Sequence, residues 1–293
     1  MGYADTGASP NLADYSFKSH ADAIAGIASE NKISRAAIGG HDWGGILVYR
    51  VAQWYPQLIT HIFSVCTAFV PVNEGKFVST RELAGGVLPQ FGYQLQFGSE
   101  EGEGERAVDG KEGRLRRFLN GLYGGKVRGG RKFMDPRKGV ELDVVRDDGV
   151  EGMAKTPLMS EDVSVLCLDW SLCRVRCADN RLKEIDYYVS QFSKFGIHGP
   201  CNWYRTRKIN YDEEKNMPVE NRKIIKQPTL YILATKDDVL TREMSRGMEK
   251  TVPNLTRGEV PAGHWALWQT PDQVNAILKD WIESVVLGGK TKL

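Results

Sequence analysis

Six residues, Gly40-His41-Asp42-Trp43-Gly44-Gly45, narrow the folds open to this chain more than any other stretch. They stand between a short apolar run at 33–38, which reads as a buried strand, and a run at 46–55 with helical periodicity. A strand, a turn rich in glycine and a helix make the layout of a nucleophile elbow, with small residues two before and two after a central residue. The turn is tight enough that side chains at the flanking positions are expected to clash. The central residue is therefore pushed into clear space at the helix N-terminus. That position usually carries serine, and here it carries Asp42.

The substitution changes the chemistry. A serine hydroxyl needs a base to take its proton, whereas a carboxylate is already ionised at neutral pH. It suits displacement at a saturated carbon bearing a good leaving group. The product is an ester on the protein's own carboxylate, which a His-activated water must then hydrolyse. An ordinary N-cap is the alternative role for Asp42. Phosphate binding at such a turn is disfavoured by an acidic side chain at its centre.

An acid and a histidine should follow in chain order. Asp237 comes just after a strand expected at 229–234, and His264 just after one expected at 256–260. Both then fall at strand C-terminal ends, where such sheets build their sites. Asp237 would orient the imidazole, and His264 would be the general base. Asp238 rivals Asp237, since spacing does not separate them. His20, His41, His61 and His198 have no comparable context.

Around this centre the chain reads as a helix at 15–30 with Ser16 as a possible N-cap, and as a strand at 59–72 after the elbow helix. The texture changes between 73 and 226, where a Gly-, Glu-, Lys- and Arg-rich stretch at 98–152 and helical patterns at 115–122 and 185–195 predict a mainly helical insertion. Alternation resumes with a helix expected at 241–251 and an amphipathic closing helix at 272–287, with Ile277, Leu278, Trp281 and Val285 on one face. The expected organisation is thus a core segment at 1–72, an inserted domain at 73–226 and a second core segment at 227–293.

Composition excludes several alternatives. The 293 residues carry 39 basic and 37 acidic side chains, which leaves no excess of positive charge for a nucleic-acid surface. No apolar run reaches the roughly 18 residues that span a bilayer, and no signal peptide is visible at 1–10. The five cysteines, Cys66, Cys167, Cys173, Cys177 and Cys201, contain no CxxC pair and suggest neither a disulfide framework nor a zinc site. Free buried thiols in a reducing compartment, and so a cytoplasmic location, are the expectation. The closing Lys290-Thr291-Lys292-Leu293 faintly resembles a peroxisomal address, but an exposed basic tail is the plainer reading.

Five pieces together resemble soluble epoxide hydrolases of the α/β-hydrolase fold, of fungal type: Gly40-His41-Asp42-Trp43-Gly44-Gly45, Gly92-Tyr93-Gln94-Leu95-Gln96-Phe97, Gly199-Pro200-Cys201-Asn202-Trp203-Tyr204-Arg205, Thr235-Lys236-Asp237 and Gly263-His264-Trp265. The resemblance implies a mostly parallel sheet with an inserted, mainly helical cap. It implies that Tyr93 and Tyr204, on that cap, hold the epoxide oxygen. Two phenols can hydrogen-bond that oxygen and hand over a proton as negative charge builds. Trp43 would give a backbone oxyanion donor, and Trp43 and Trp265 would wall an apolar pocket. A small apolar epoxide is the implied partner, with no metal or cofactor, no nucleic acid and no membrane; oligomeric state stays open. A haloalkane dehalogenase shares the Asp-Trp pair and is the runner-up. An inactive truncated hydrolase that only binds ligands is the alternative of another class.

Two departures from the family pattern bear on activity. No His-Gly-x-Pro oxyanion loop occurs, and the strands the family places before the elbow are not found, so the chain is expected to be N-terminally truncated, with an uncovered apolar sheet edge and impaired activity. The Cys-rich segment 163–182 interrupts the pattern and is expected to be a translated intron, with a genuine strand and hairpin as the alternative.

Overall fold

The computed structural model describes residues 2–110, 112–127, 130–146 and 184–288. The segment 163–182 and the tail 290–293 discussed above lie outside the described residues. The described residues divide into two units. One spans Met1–Pro10 with Thr80–Arg205, the other Asn11–Ser79 with Thr206–Leu293.

The second unit is built on a four-stranded, all-parallel sheet. Its strands are β1 (Ala36–His41) and β2 (Ile59–Val65), then, after the short antiparallel pair β3 (Met134–Asp135) and β4 (Gly139–Val140) in the other unit, β5 (Thr229–Ala234) and β6 (Leu255–Val260). The order across the sheet is β1-β2-β5-β6. His41 pairs with Val65, Val65 with Ile232, and Ala234 with Val260. All four strands therefore end at one edge, and the loops that follow them emerge together. β5 is buried along its whole length, as a central parallel strand should be. β1 is half-exposed and pairs only with β2 among the described residues.

Helices cover the sheet for reasons visible in their sequences. The helix Phe17–Glu30 starts at Ser16, whose hydroxyl accepts the Ser19 N–H at 3.1 Å. The helix Trp43–Trp54 buries Leu47, Val48, Val51 and Ala52. Arg50 in that helix is also buried, its Nε donating to Glu214 at 2.6 Å and its Nη1 to the Val70 carbonyl at 2.9 Å. The bonds satisfy a guanidinium that would otherwise be costly to bury. The closing helix runs Pro271–Trp281 and continues as a π-helical turn over Ile282–Val286. It buries Val274 and Trp281, with Ile277 and Leu278 half-buried.

Several boundaries depart from the sequence reading. The strand expected at 33–38 begins at Ala36 and runs through Gly39 and Gly40 to His41. The strand expected over 59–72 ends at Val65, because Cys66 turns to a positive φ of 69°. The helix expected at 241–251 is two 3-10 turns, Arg242–Ser245 and Met248–Lys250, separated by Gly247 at φ 73°. Residues 206–226, counted with the insertion by sequence, belong to the second unit. There Asn210 accepts the Phe17 N–H at 2.8 Å.

The first unit is mainly helical. Its helices include Tyr93–Phe97, Glu103–Val108, Glu112–Leu122, Glu184–Phe192 and His198–Arg205. The β3–β4 hairpin, not anticipated from the sequence, is fastened by Gln96, which exchanges two hydrogen bonds with Val140 at 2.8 and 3.0 Å.

Candidate active site

The elbow places Asp42. Its backbone sits at φ 53°, ψ −120°, a region that costs a non-glycine residue of order 1–3 kcal/mol. The turn is closed by Gly40, where an added Cβ would lie 2.1 Å from the Gly44 carbonyl oxygen. The second half of the expected pattern needs correction. At Gly44 a Cβ would meet nothing within 4 Å, whereas at Gly45 it would lie 2.6 Å from the Thr67 side chain. The tight glycines are thus Gly40 and Gly45. Asp42 makes no side-chain cap bond to the helix that follows it, so the N-cap role is not what holds it there. Its carbonyl accepts the Thr67 hydroxyl at 2.7 Å.

Asp42, Asp237 and His264 meet at the C-terminal edge of the sheet. His264 Nδ1 lies 2.9 Å from Asp237 Oδ2, and His264 Nε2 lies 3.4 Å from Asp42 Oδ1. A carboxylate accepts only, so Nδ1 carries a proton toward Asp237 and Nε2 faces Asp42. Asp237 Oδ1 accepts the backbone N–H groups of Val239 and Leu240 at 2.8 and 3.0 Å. Asp237 is therefore the carboxylate that meets the His264 Nδ1, whereas Asp238 beside it is exposed.

The electrostatics follow the geometry. Burial works against a charge on Asp237, but the His264 imidazole and the two N–H groups outweigh it and hold the carboxyl below its ordinary range. Burial likewise disfavours the His264 cation, yet Asp42 and Asp237 more than offset this, and the imidazole sits above the ordinary histidine value.

Trp43 packs its ring against Phe17 at 6.2 Å between centroids. Trp265 lies edge-on to the His264 ring at 5.1 Å and to Trp268 at 5.6 Å. Tyr93 and Tyr204 belong to the other unit, where they meet each other edge-on at 5.8 Å and both flank Phe97. Arg205, next to Tyr204, is pinned by Glu105 at 2.6 Å and by the Ser99 carbonyl at 2.7 Å. Two residues escaped the sequence reading. His41 Nε2 and Cys66 Sγ approach the His264 carbonyl oxygen at 2.7 and 3.6 Å. A lone histidine and a lone cysteine carry no signal of contacts with a residue about 200 positions away. Among the described residues no cluster of His, Cys, Asp and Glu is arranged to hold a metal, and no helix is long and apolar enough to cross a membrane.

Comparison with known proteins agrees with this architecture. A family model for the α/β-hydrolase fold matches residues 1–98. Epoxide hydrolase srdG of Neurospora crassa is 35% identical, with 97% of this chain and 76% of the relative covered. Bifunctional epoxide hydrolase 2 of Mus musculus is 30% identical over 97% of this chain, which spans only 46% of that relative. Among solved structures, epoxide hydrolase A of Mycobacterium thermoresistibile matches with a TM-score of 0.70 at 21% identity, covering 96% of this chain and 79% of that one. Epoxide hydrolase VrEH1 of Vigna radiata gives 0.71 at 16%, covering 97% and 80%. At those identities the structures speak for the fold, and the fungal relative speaks for the family. With a parallel sheet that ends in a strained aspartate and a histidine–aspartate pair, this chain belongs to the epoxide hydrolase family of the α/β-hydrolase fold.

Proposed function

We propose that the chain hydrolyses a small apolar epoxide to a vicinal diol through an ester on Asp42. The observation that carries the reading is the double engagement of His264, with Nδ1 on Asp237 and Nε2 on Asp42. An Asp42 oxygen attacks an epoxide carbon, the carbon–oxygen bond breaks, and the departing oxygen takes a proton from Tyr93 or Tyr204, which act from a cap. The C=O of the new ester is then attacked by water, whose proton passes to His264 Nε2. The backbone N–H of Trp43 would stabilise the oxyanion. Collapse frees the diol and the Asp42 carboxylate, and the His264 proton returns to the phenolate. Asp42, His264 and Asp237 are in this reading a catalytic triad, with Trp43 and Trp265 beside the pocket. A cytoplasmic location accords with the free thiols of Cys66 and Cys201.

Esterification also prepares the second step. Asp42 is one of the two anions that raise the His264 pKa, and the ester is neutral. Formation of the intermediate therefore moves His264 toward the basic form that hydrolysis requires.

Diol release from styrene oxide, measured beside halide release from a short haloalkane, tests the assignment. We expect diol and no halide. Replacing both Tyr93 and Tyr204 by Phe should lower epoxide opening by at least about 100-fold. Halide release without diol would overturn the proposal.

A further inference from the structure

The scheme above uses His264 through its ring and leaves open what fixes the chain behind that ring. His264 stands in the loop after β6, four residues beyond Val260. Its own carbonyl oxygen is where the neighbouring strand ends converge. His41, the last residue of β1, brings Nε2 within 2.7 Å of that oxygen. Cys66, directly after β2, brings its thiol to 3.6 Å. A carbonyl can only accept, so the His41 contact requires a hydrogen on Nε2. A thiol is a weak donor, which leaves His41 as the principal partner. The two imidazole rings lie 4.9 Å apart between centroids. The dipeptide His41-Asp42 thus reaches His264 from both sides: Asp42 faces the ring nitrogen and His41 holds the backbone.

We infer that His41 is a positioning residue for His264: its Nε2–H anchors the His264 carbonyl, so that the imidazole stays between Asp42 and Asp237 while the ester is hydrolysed. The inference rests on the roles given to Asp42 and His264 above. Burial and the neighbouring His264 cation outweigh Asp42, Asp237 and the carbonyl contact itself and hold His41 below the ordinary histidine range, which favours the neutral ring that the Nε2–H contact needs. Plain packing is the competing role, since the ring also lies 6.0 Å from Trp265. The two roles differ in what they need: packing needs the ring, and anchoring needs the N–H.

The experiment compares H41F and H41L, which lack the donor, with H41Q, which restores an N–H; circular dichroism verifies folding. Attack by Asp42 does not use His264, so the donor-free variants should form the ester at a rate within about twofold of wild type. They should then hydrolyse it about tenfold more slowly, and the adduct should accumulate in intact-mass spectra with styrene oxide. H41Q should recover most of the second step. In the free protein, the His264 Nδ1–H proton should give a protected NMR signal in wild type and H41Q that exchanges away in H41F and H41L. The inference is overturned if a folded donor-free variant hydrolyses the ester at the wild-type rate, or if H41Q is as slow as the donor-free pair. If wild type forms no ester, the functional reading fails instead, and the Nδ1–H signal alone decides whether His41 anchors His264. Equal protection in all four proteins would refute the anchor.

Discussion

At the scale of single residues, His264 is governed by two carboxylates. Asp42 and Asp237 together lift its pKa against the effect of burial. In the free protein His264 is therefore expected to titrate above the ordinary histidine value of about 6.5. Asp237→Asn removes one of the two anions and should move that titration downward, as followed by NMR of the imidazole. With the amide oxygen of the asparagine held by the Val239 and Leu240 N–H groups, its NH2 replaces Oδ2 as the group facing Nδ1. A donor there disfavours the proton on Nδ1, so ester hydrolysis should slow on the order of 100- to 10,000-fold. An unchanged titration in Asp237→Asn would contradict the assignment of Asp237 over Asp238. At this scale the meeting of Asp42, Asp237 and His264 was legible in the sequence, because an elbow and two strand ends are local patterns. It was silent on His41 and Cys66, whose importance lies in contacts made only after the sheet assembles.

At the scale of elements, the elbow is a strand end and a helix start pressed together. Gly40 allows that approach, with the Gly44 carbonyl oxygen 2.1 Å from the place its Cβ would occupy. That obstacle is backbone and has little room to yield. Gly40→Ala should therefore destabilise the protein by about 1–3 kcal/mol and displace Asp42. Gly44→Ala meets open space and sits in the first turn of a helix, where alanine is favoured over glycine. Its unfolding midpoint in urea should equal or exceed wild type. Equal losses in the two variants would show that the turn is not closed at Gly40. The same distinction explains which elements were legible. The helix Phe17–Glu30 and strand β5 follow period and burial, which a sequence displays. The stretch after β5 has helical residue types, but Gly247 adopts φ 73° and divides it into two short turns. The end of β2 is set by the positive φ of Cys66, a residue type that gives no warning of it.

For the whole molecule, the two units answer to different parts of the sequence. The sheet unit was readable because alternating strands and helices allow few topologies. The mainly helical unit was readable only as a change of texture, and its hairpin at β3 and β4 depends on Gln96 reaching residues more than forty positions away. Each unit contains one buried free cysteine among the described residues, Cys66 in the sheet unit and Cys201 in the helical one. Burial drives both thiols well above the usual range, so neither is a ready nucleophile in the folded protein. Peptide-resolved labelling with iodoacetamide at neutral pH should leave both unmodified until each unit opens, and so report the two unfolding events separately. Rapid labelling of either in native protein would contradict its packing. The proposed chemistry requires the chain's own carboxylate at Asp42 to become esterified. Intact and peptide mass spectrometry of a His264→Gln variant after exposure to styrene oxide tests it most directly. One substrate mass should be added per chain, on the peptide that contains Asp42, and none when Asp42 is replaced by Asn. An unmodified Asp42 peptide in a folded His264→Gln protein that consumes epoxide would contradict it.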